Sequence, residues 1–198
     1  VRYPSLNDVD RDFLELPSQF NAPWALAPTV LTRYACHHET GAPMPSDQVE
    51  KIQKTKAFNQ GFRTTEDLAA ALLDLAWHMR AAGAPEVDVN AFERDALARF
   101  TIDLAQVPPR YHTTYFSHIW SLGYAASYYA YLWSEVLDCD AYYWFKEHGG
   151  MTRENGQRFR DLILSRGNTE DPAELFRAFR GRDPVVEPLL IERGLRQG

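Results

Sequence analysis

Apolar and polar positions alternate along this chain with a helical period almost from end to end. The clearest stripe is Leu68, Ala71, Leu72 and Leu75, with Thr65 as the predicted cap and Gly83-Ala84-Pro85 as the stop. Asp8 or Asp10 is placed to cap a first helix carrying Glu15, and Pro17 either interrupts it or opens a restarted helix. Pro28 suits the first turn of a helix running to about Gly41, and Ser46 caps one ending near Asn59 or Gly61. Asp88 or Asn90 starts a helix through Phe92, Ala96 and Phe100, and Val107-Pro108-Pro109 breaks the pattern. A long helix is expected from just after Gly123 to Gly149-Gly150. Thr152 caps the next, which ends near Arg166-Gly167. Asp171-Pro172 opens another that Gly181 closes, and a last one spans Pro184 to about Arg193. No alternating strand or hairpin signal appears. The pattern predicts an all-α, multi-helix array forming a single helical domain over residues 1–198.

Composition narrows the function. The hydrophobic fraction of 45% over 198 residues supports one real core, and 13% aromatic content argues against disorder. The net charge is -6 and no basic tract interleaves with aromatics, so nucleic acid is an unexpected partner. No apolar run reaches the length of a membrane span. Cys36 and Cys139 have no C-x-x-C partner. They read as free thiols in a reducing, cytoplasmic setting, both in helix-like stretches where buried Cys behaves as a small hydrophobe.

Two segments carry candidate chemistry. In Asp12-Phe13-Leu14-Glu15-Leu16-Pro17-Ser18-Gln19, apolar neighbours surround Glu15, and an acid there needs a compensating partner. Asp12 lies one turn before it on the same helix face. In the second, Tyr124, Tyr128 and Tyr131 are spaced to fall on one helical face, close to His118 and Gly123. That stripe suits an aromatic core. That is the reading its period favours; a polar cleft is the alternative, because each phenol needs a hydrogen-bond partner and can donate to an oxyanion.

Both segments resemble the thimet oligopeptidase, neurolysin and bacterial peptidyl-dipeptidase family of zinc metallopeptidases. The first is similar to the stretch that carries that family's third zinc ligand. The run Gly123-Tyr124-Ala125-Ala126-Ser127-Tyr128-Tyr129-Ala130-Tyr131-Leu132-Trp133 is nearly identical to its G-Y-x-A-x-Y-Y-x-Y-L-W motif. Leu164 to Asp171 also resembles the bacterial peptidyl-dipeptidase branch. The resemblance runs from Asp10 to Leu195. It implies the C-terminal part of a zincin-type oligopeptidase catalytic domain, with Glu15 as a metal ligand and zinc as cofactor. By the same resemblance, His118 and Tyr124 contact the substrate backbone, Tyr131 donates to the oxyanion and Tyr128 lines the cleft. Substrates are short peptides.

The sequence departs from the family in two places. Ser121-Leu122 stands where the family loop is richer in glycine. The H-E-x-x-H helix, with two His ligands and the general base, is absent; His38-Glu39 is followed by Thr40, Gly41 and Ala42. The chain is therefore expected to be a piece cut just after those ligands. Alone, it is expected to be inactive, to have the missing N-terminal part of the same enzyme as its partner, and to self-associate. A non-catalytic peptide- or protein-binding helical module is the alternative.

Overall fold

The computed structural model describes residues 8–197, and its described residues are helical with no strands beyond isolated bridges. The all-α expectation therefore holds. Prolines and carboxylates set several helix starts. Pro17 stands in the first turn of a restarted helix, so α1 (Arg11–Leu14) is followed at once by α2 (Leu16–Asn21). Pro28 opens α3 (Pro28–Tyr34). Asp88 caps α6 (Val89–Ala98) by accepting from Ala91 N, Thr152 caps α9 (Arg153–Phe159) through Asn155 N, and Asp171 caps α10 (Pro172–Arg180) through Ala173 N and Glu174 N. Gly181 closes α10 in the left-handed conformation.

Other boundaries move. Helix α3 stops at Tyr34 rather than Gly41, because Cys36 bridges Pro43 and His37 N donates to Ala42 O at 2.8 Å. Cys36 is thus exposed in a loop rather than helical, whereas Cys139 is buried in a helix as expected. Helix α4 (Ser46–Thr55) takes Ser46 as its first residue, not its cap. Helix α5 (Gln60–His78) begins before Thr65, whose hydroxyl instead donates to Gly61 O at 2.8 Å. Beyond α9 the helix widens into a π turn over Arg160–Leu164. The last helix, α11, spans Glu187–Glu192.

The chain divides into two compact units: Asn59–Trp133, and Val1–Phe58 together with Ser134–Gly198. The discontinuous unit has an aromatic core. Phe20 of α2 stacks on Phe159 at 4.3 Å and packs on Phe145 at 5.1 Å, while Trp144 meets Phe179 at 4.9 Å. The fully buried Asp140 fixes the chain beyond α10 by accepting from Arg180, Arg182 and Val185 N. The continuous unit packs Ala69 and Leu73 of α5 against Ala96 and Leu97 of α6, with Ala70 and Ala71 meeting Phe116, Ile119 and Tyr128.

Candidate functional site

Within Asn59–Trp133, a ring cluster forms around His118 of the short helix α7 (Ser117–Trp120). The His118 ring lies 6.2 Å from Tyr124, 5.6 Å from Tyr128 and 6.3 Å from Tyr131. Tyr124 stacks on Tyr131 at 4.8 Å, and Tyr128 meets Tyr131 edge-on at 5.1 Å. Tyr111 joins from the other side, 5.1 Å from His118 and 6.2 Å from Tyr128. His118 Nδ1 is buried without a hydrogen-bond partner among the described residues.

The helical-face arrangement expected for the tyrosines is corrected. Helix α8 (Ala130–Glu147) begins at Ala130, so Tyr131 alone is helical, while Tyr124 and Tyr128 stand in the turns before it. The cause is Asp74 of α5. Its fully buried carboxylate accepts from Ala126 N at 2.9 Å through Oδ1 and from Tyr128 N at 2.8 Å through Oδ2. Ala126 takes a positive φ of 55° to present its N–H. These amides are spent on a side chain rather than on helical carbonyls, and the rings converge without a common helix. His78 closes the arrangement, with Nδ1 2.8 Å from Asp74 Oδ1.

A second carboxylate fixes the approach to His118. Glu93 Oε2 accepts from Thr113 N at 2.9 Å and from Thr113 Oγ1 at 3.0 Å, and its other oxygen meets His112 Nδ1. Trp77 Nε1 donates to Thr113 Oγ1 and Trp120 Nε1 to Thr113 O.

The polar groups of the cluster are phenols and one imidazole. Burial pushes the Tyr128 phenol well above its ordinary range, Tyr111 adds to the shift, and Arg110 opposes it. Tyr128 is therefore a hydrogen-bond donor at physiological pH, not a base. Phenol and imidazole donors gathered this way suit a carbonyl oxygen that gains negative charge.

Glu15 belongs to the other unit. It is the junction residue between α1 and α2, half-buried, and accepts from Ser18 Oγ at 3.2 Å through Oε2. Phe13 and Leu16 beside it are buried in the core. Its carboxylate has the right donor chemistry for zinc. Yet a protein zinc site needs at least three ligands, and among the described residues Glu15 lies in no such group. The group found is His37, His38 and Glu39, all exposed in the loop after α3. The residues present thus fit one ligand of a zinc site and not the whole of it.

Sequence reasoning missed Asp74, Glu93, Arg110 and Tyr111. Asp74 had a readable signal, a carboxylate inside the apolar run from Ala69 to Ala76. Glu93 depends on contacts with His112 and Thr113, 19 and 20 residues on, and Arg110 and Tyr111 on ring contacts that no local pattern announces.

Comparison with known proteins finds relatives among bacterial peptidases. The chain is 52% identical over 196 residues to a dipeptidyl carboxypeptidase of Salmonella typhimurium, covering 98% of this chain and 29% of that protein. The corresponding Escherichia coli protein is 49% identical with the same coverage. Oligopeptidase A of Salmonella typhimurium is 38% identical, over 96% of this chain and 28% of that protein. The chain thus spans under a third of the length of these relatives. The profile of peptidase family M3 matches residues 1–195, and the chain belongs to that metallopeptidase family.

Proposed function

We propose that this chain is the C-terminal segment of the catalytic domain of a zinc-dependent oligopeptidase of the peptidyl-dipeptidase kind, acting on short peptides. The observation that carries the reading is the convergence of His118, Tyr124, Tyr128 and Tyr131 into one cluster of donors held by Asp74. Zinc, when bound by Glu15 and two ligands from outside this chain, supplies Lewis-acid polarisation of the scissile carbonyl and an activated water. This chain's own share is binding and charge stabilisation. Tyr131 donates to the developing oxyanion, His118 and Tyr124 hold the peptide backbone, and Tyr128 lines the cleft as a neutral phenol.

The test is peptide hydrolysis by the zinc-loaded full-length gene product and by this chain alone. The former should turn over short peptides, and Tyr131→Phe should lower kcat about 100-fold or more with little change in KM, as loss of an oxyanion donor does. The chain alone, with a single zinc ligand and no general base, should show no zinc-dependent turnover. Robust chelator-sensitive cleavage by the chain alone, or a Tyr131→Phe enzyme with unchanged kcat, refutes the reading. Peptide binding without hydrolysis by the full-length product would indicate a binding module instead.

A further inference from the structure

The loop after α3 gathers three metal-ligating side chains that the ring cluster does not use. His37, His38 and Glu39 each offer one ligand atom, and these atoms all lie within 4.8 Å of one another. The two imidazoles stack, with ring centres 5.0 Å apart and planes 19° from parallel. The backbone holds the three together. His37 N donates to Ala42 O at 2.8 Å, Gly41 N donates to His37 O at 2.9 Å, and Gly41 takes a φ of +69°. A loop closed on itself in this way spares an incoming ion much of the entropy of ordering its ligands.

The donor set selects the ion. Two imidazoles and a carboxylate suit late first-row divalent ions such as zinc, nickel and copper, whereas magnesium and calcium favour oxygen alone. Donors held by one tetrahedral ion stand about 3.3 Å apart. All three residues are exposed, so rotation of their side chains closes the remaining gap without disturbing a core. Among the described residues, no ion pair takes up the Glu39 carboxylate. His37 Nδ1 accepts from Glu39 N at 3.2 Å and Thr40 N at 3.3 Å, which steadies the ring and leaves Nε2 for an ion. Coordination at Nε2 moves the ring proton to Nδ1, and the two amides, both in exposed residues, turn to water.

We propose that His37, His38 and Glu39 form a binding site for a late first-row divalent metal ion, with water completing the coordination. Glu15 is not among its donors. The gene product then takes up this ion in addition to any zinc that Glu15 helps to hold, and its total metal content exceeds what peptide hydrolysis requires.

The experiment dialyses the zinc-loaded full-length gene product against Ni²⁺ and counts both metals per chain. Nickel should bind with a micromolar dissociation constant while the zinc count stays the same. His37→Ala, His38→Ala and Glu39→Gln should each weaken nickel binding by about 10-fold or more, since losing even a group that only supports a ligand costs that much. The three side chains are exposed, so an unchanged Tm should show that the variants fold. Cys36→Ser, at the exposed thiol next in sequence, should leave the affinity as it is. Excess Mg²⁺ should not displace the nickel. Absence of nickel beyond what replaces zinc overturns the proposal. So does nickel binding that survives His38→Ala, or that is lost in Cys36→Ser.

Discussion

Asp138 in α8 is 3% exposed, and burial raises its carboxyl pKa to about 7. Glu135 and Glu192 push the same way, while a hydrogen bond from Cys139 and the charge of Arg193 oppose. The folded state therefore holds a proton that the unfolded chain releases near pH 4. An acid with a raised folded pKa stabilises the fold fully below its unfolded value and loses that stability as pH climbs to its folded value. The window runs from about pH 4 to 7. At 1.36 kcal/mol per unit, the loss between pH 5 and 8 is about 3 kcal/mol, a ceiling that relaxation and water penetration reduce. Asp138→Asn mimics the protonated acid in shape and cannot ionise. Its stability relative to wild type should grow by about 1–3 kcal/mol between pH 5 and 8, with Asn the more stable at pH 8. Urea unfolding of both proteins at the two pH values measures this, because the pH dependence of all other groups cancels in the difference. A stability difference that stays flat with pH, or an Asn variant weaker than wild type at pH 8, refutes the argument.

Asp74→Asn retains one acceptor and turns an amide donor toward a backbone N–H. It should destabilise by about 2–4 kcal/mol and speed hydrogen exchange at Ala126 or Tyr128; unchanged stability and exchange would remove the grip from the account. Gly194 has a φ of +65°, and an added Cβ would sit 2.8 Å from the Ala57 Cβ. Gly194→Ala should therefore cost about 2–4 kcal/mol from left-handed strain and overpacking together, read as a lowered Tm.

How much of this was legible depends on the range of the forces involved. Asp88, Thr152, Asp171, Pro17 and Pro28 act within a turn of themselves, and the helix starts they set follow from the sequence. The end of α3 does not, because the pairing of Cys36 with Pro43 outcompetes a local helical preference. The tyrosine stripe shows the same limit. Its spacing satisfied a helix, yet the amides of Ala126 and Tyr128 bind a carboxylate that lies on another helix, 52 and 54 residues earlier in the chain. The motif picked out side chains that do come together, but on a different backbone from the one its spacing implied. Arg110 and Tyr111 carried no periodic or motif signal, and only folding brings them to the cluster.

The way Asp74 holds its loop separates shape from sequence. Its two bonds go to peptide N–H groups, which every residue except proline carries. Side chains at the exposed positions Ala125 and Tyr129 can therefore be exchanged without rebuilding the turn, whereas Tyr124, Tyr128 and Ala130 are buried. The positive φ at Ala126 even leaves room for improvement, since glycine or asparagine adopts it at lower cost. The turn is a plug whose socket is buried in α5, and its outer face can vary while the plug stays seated.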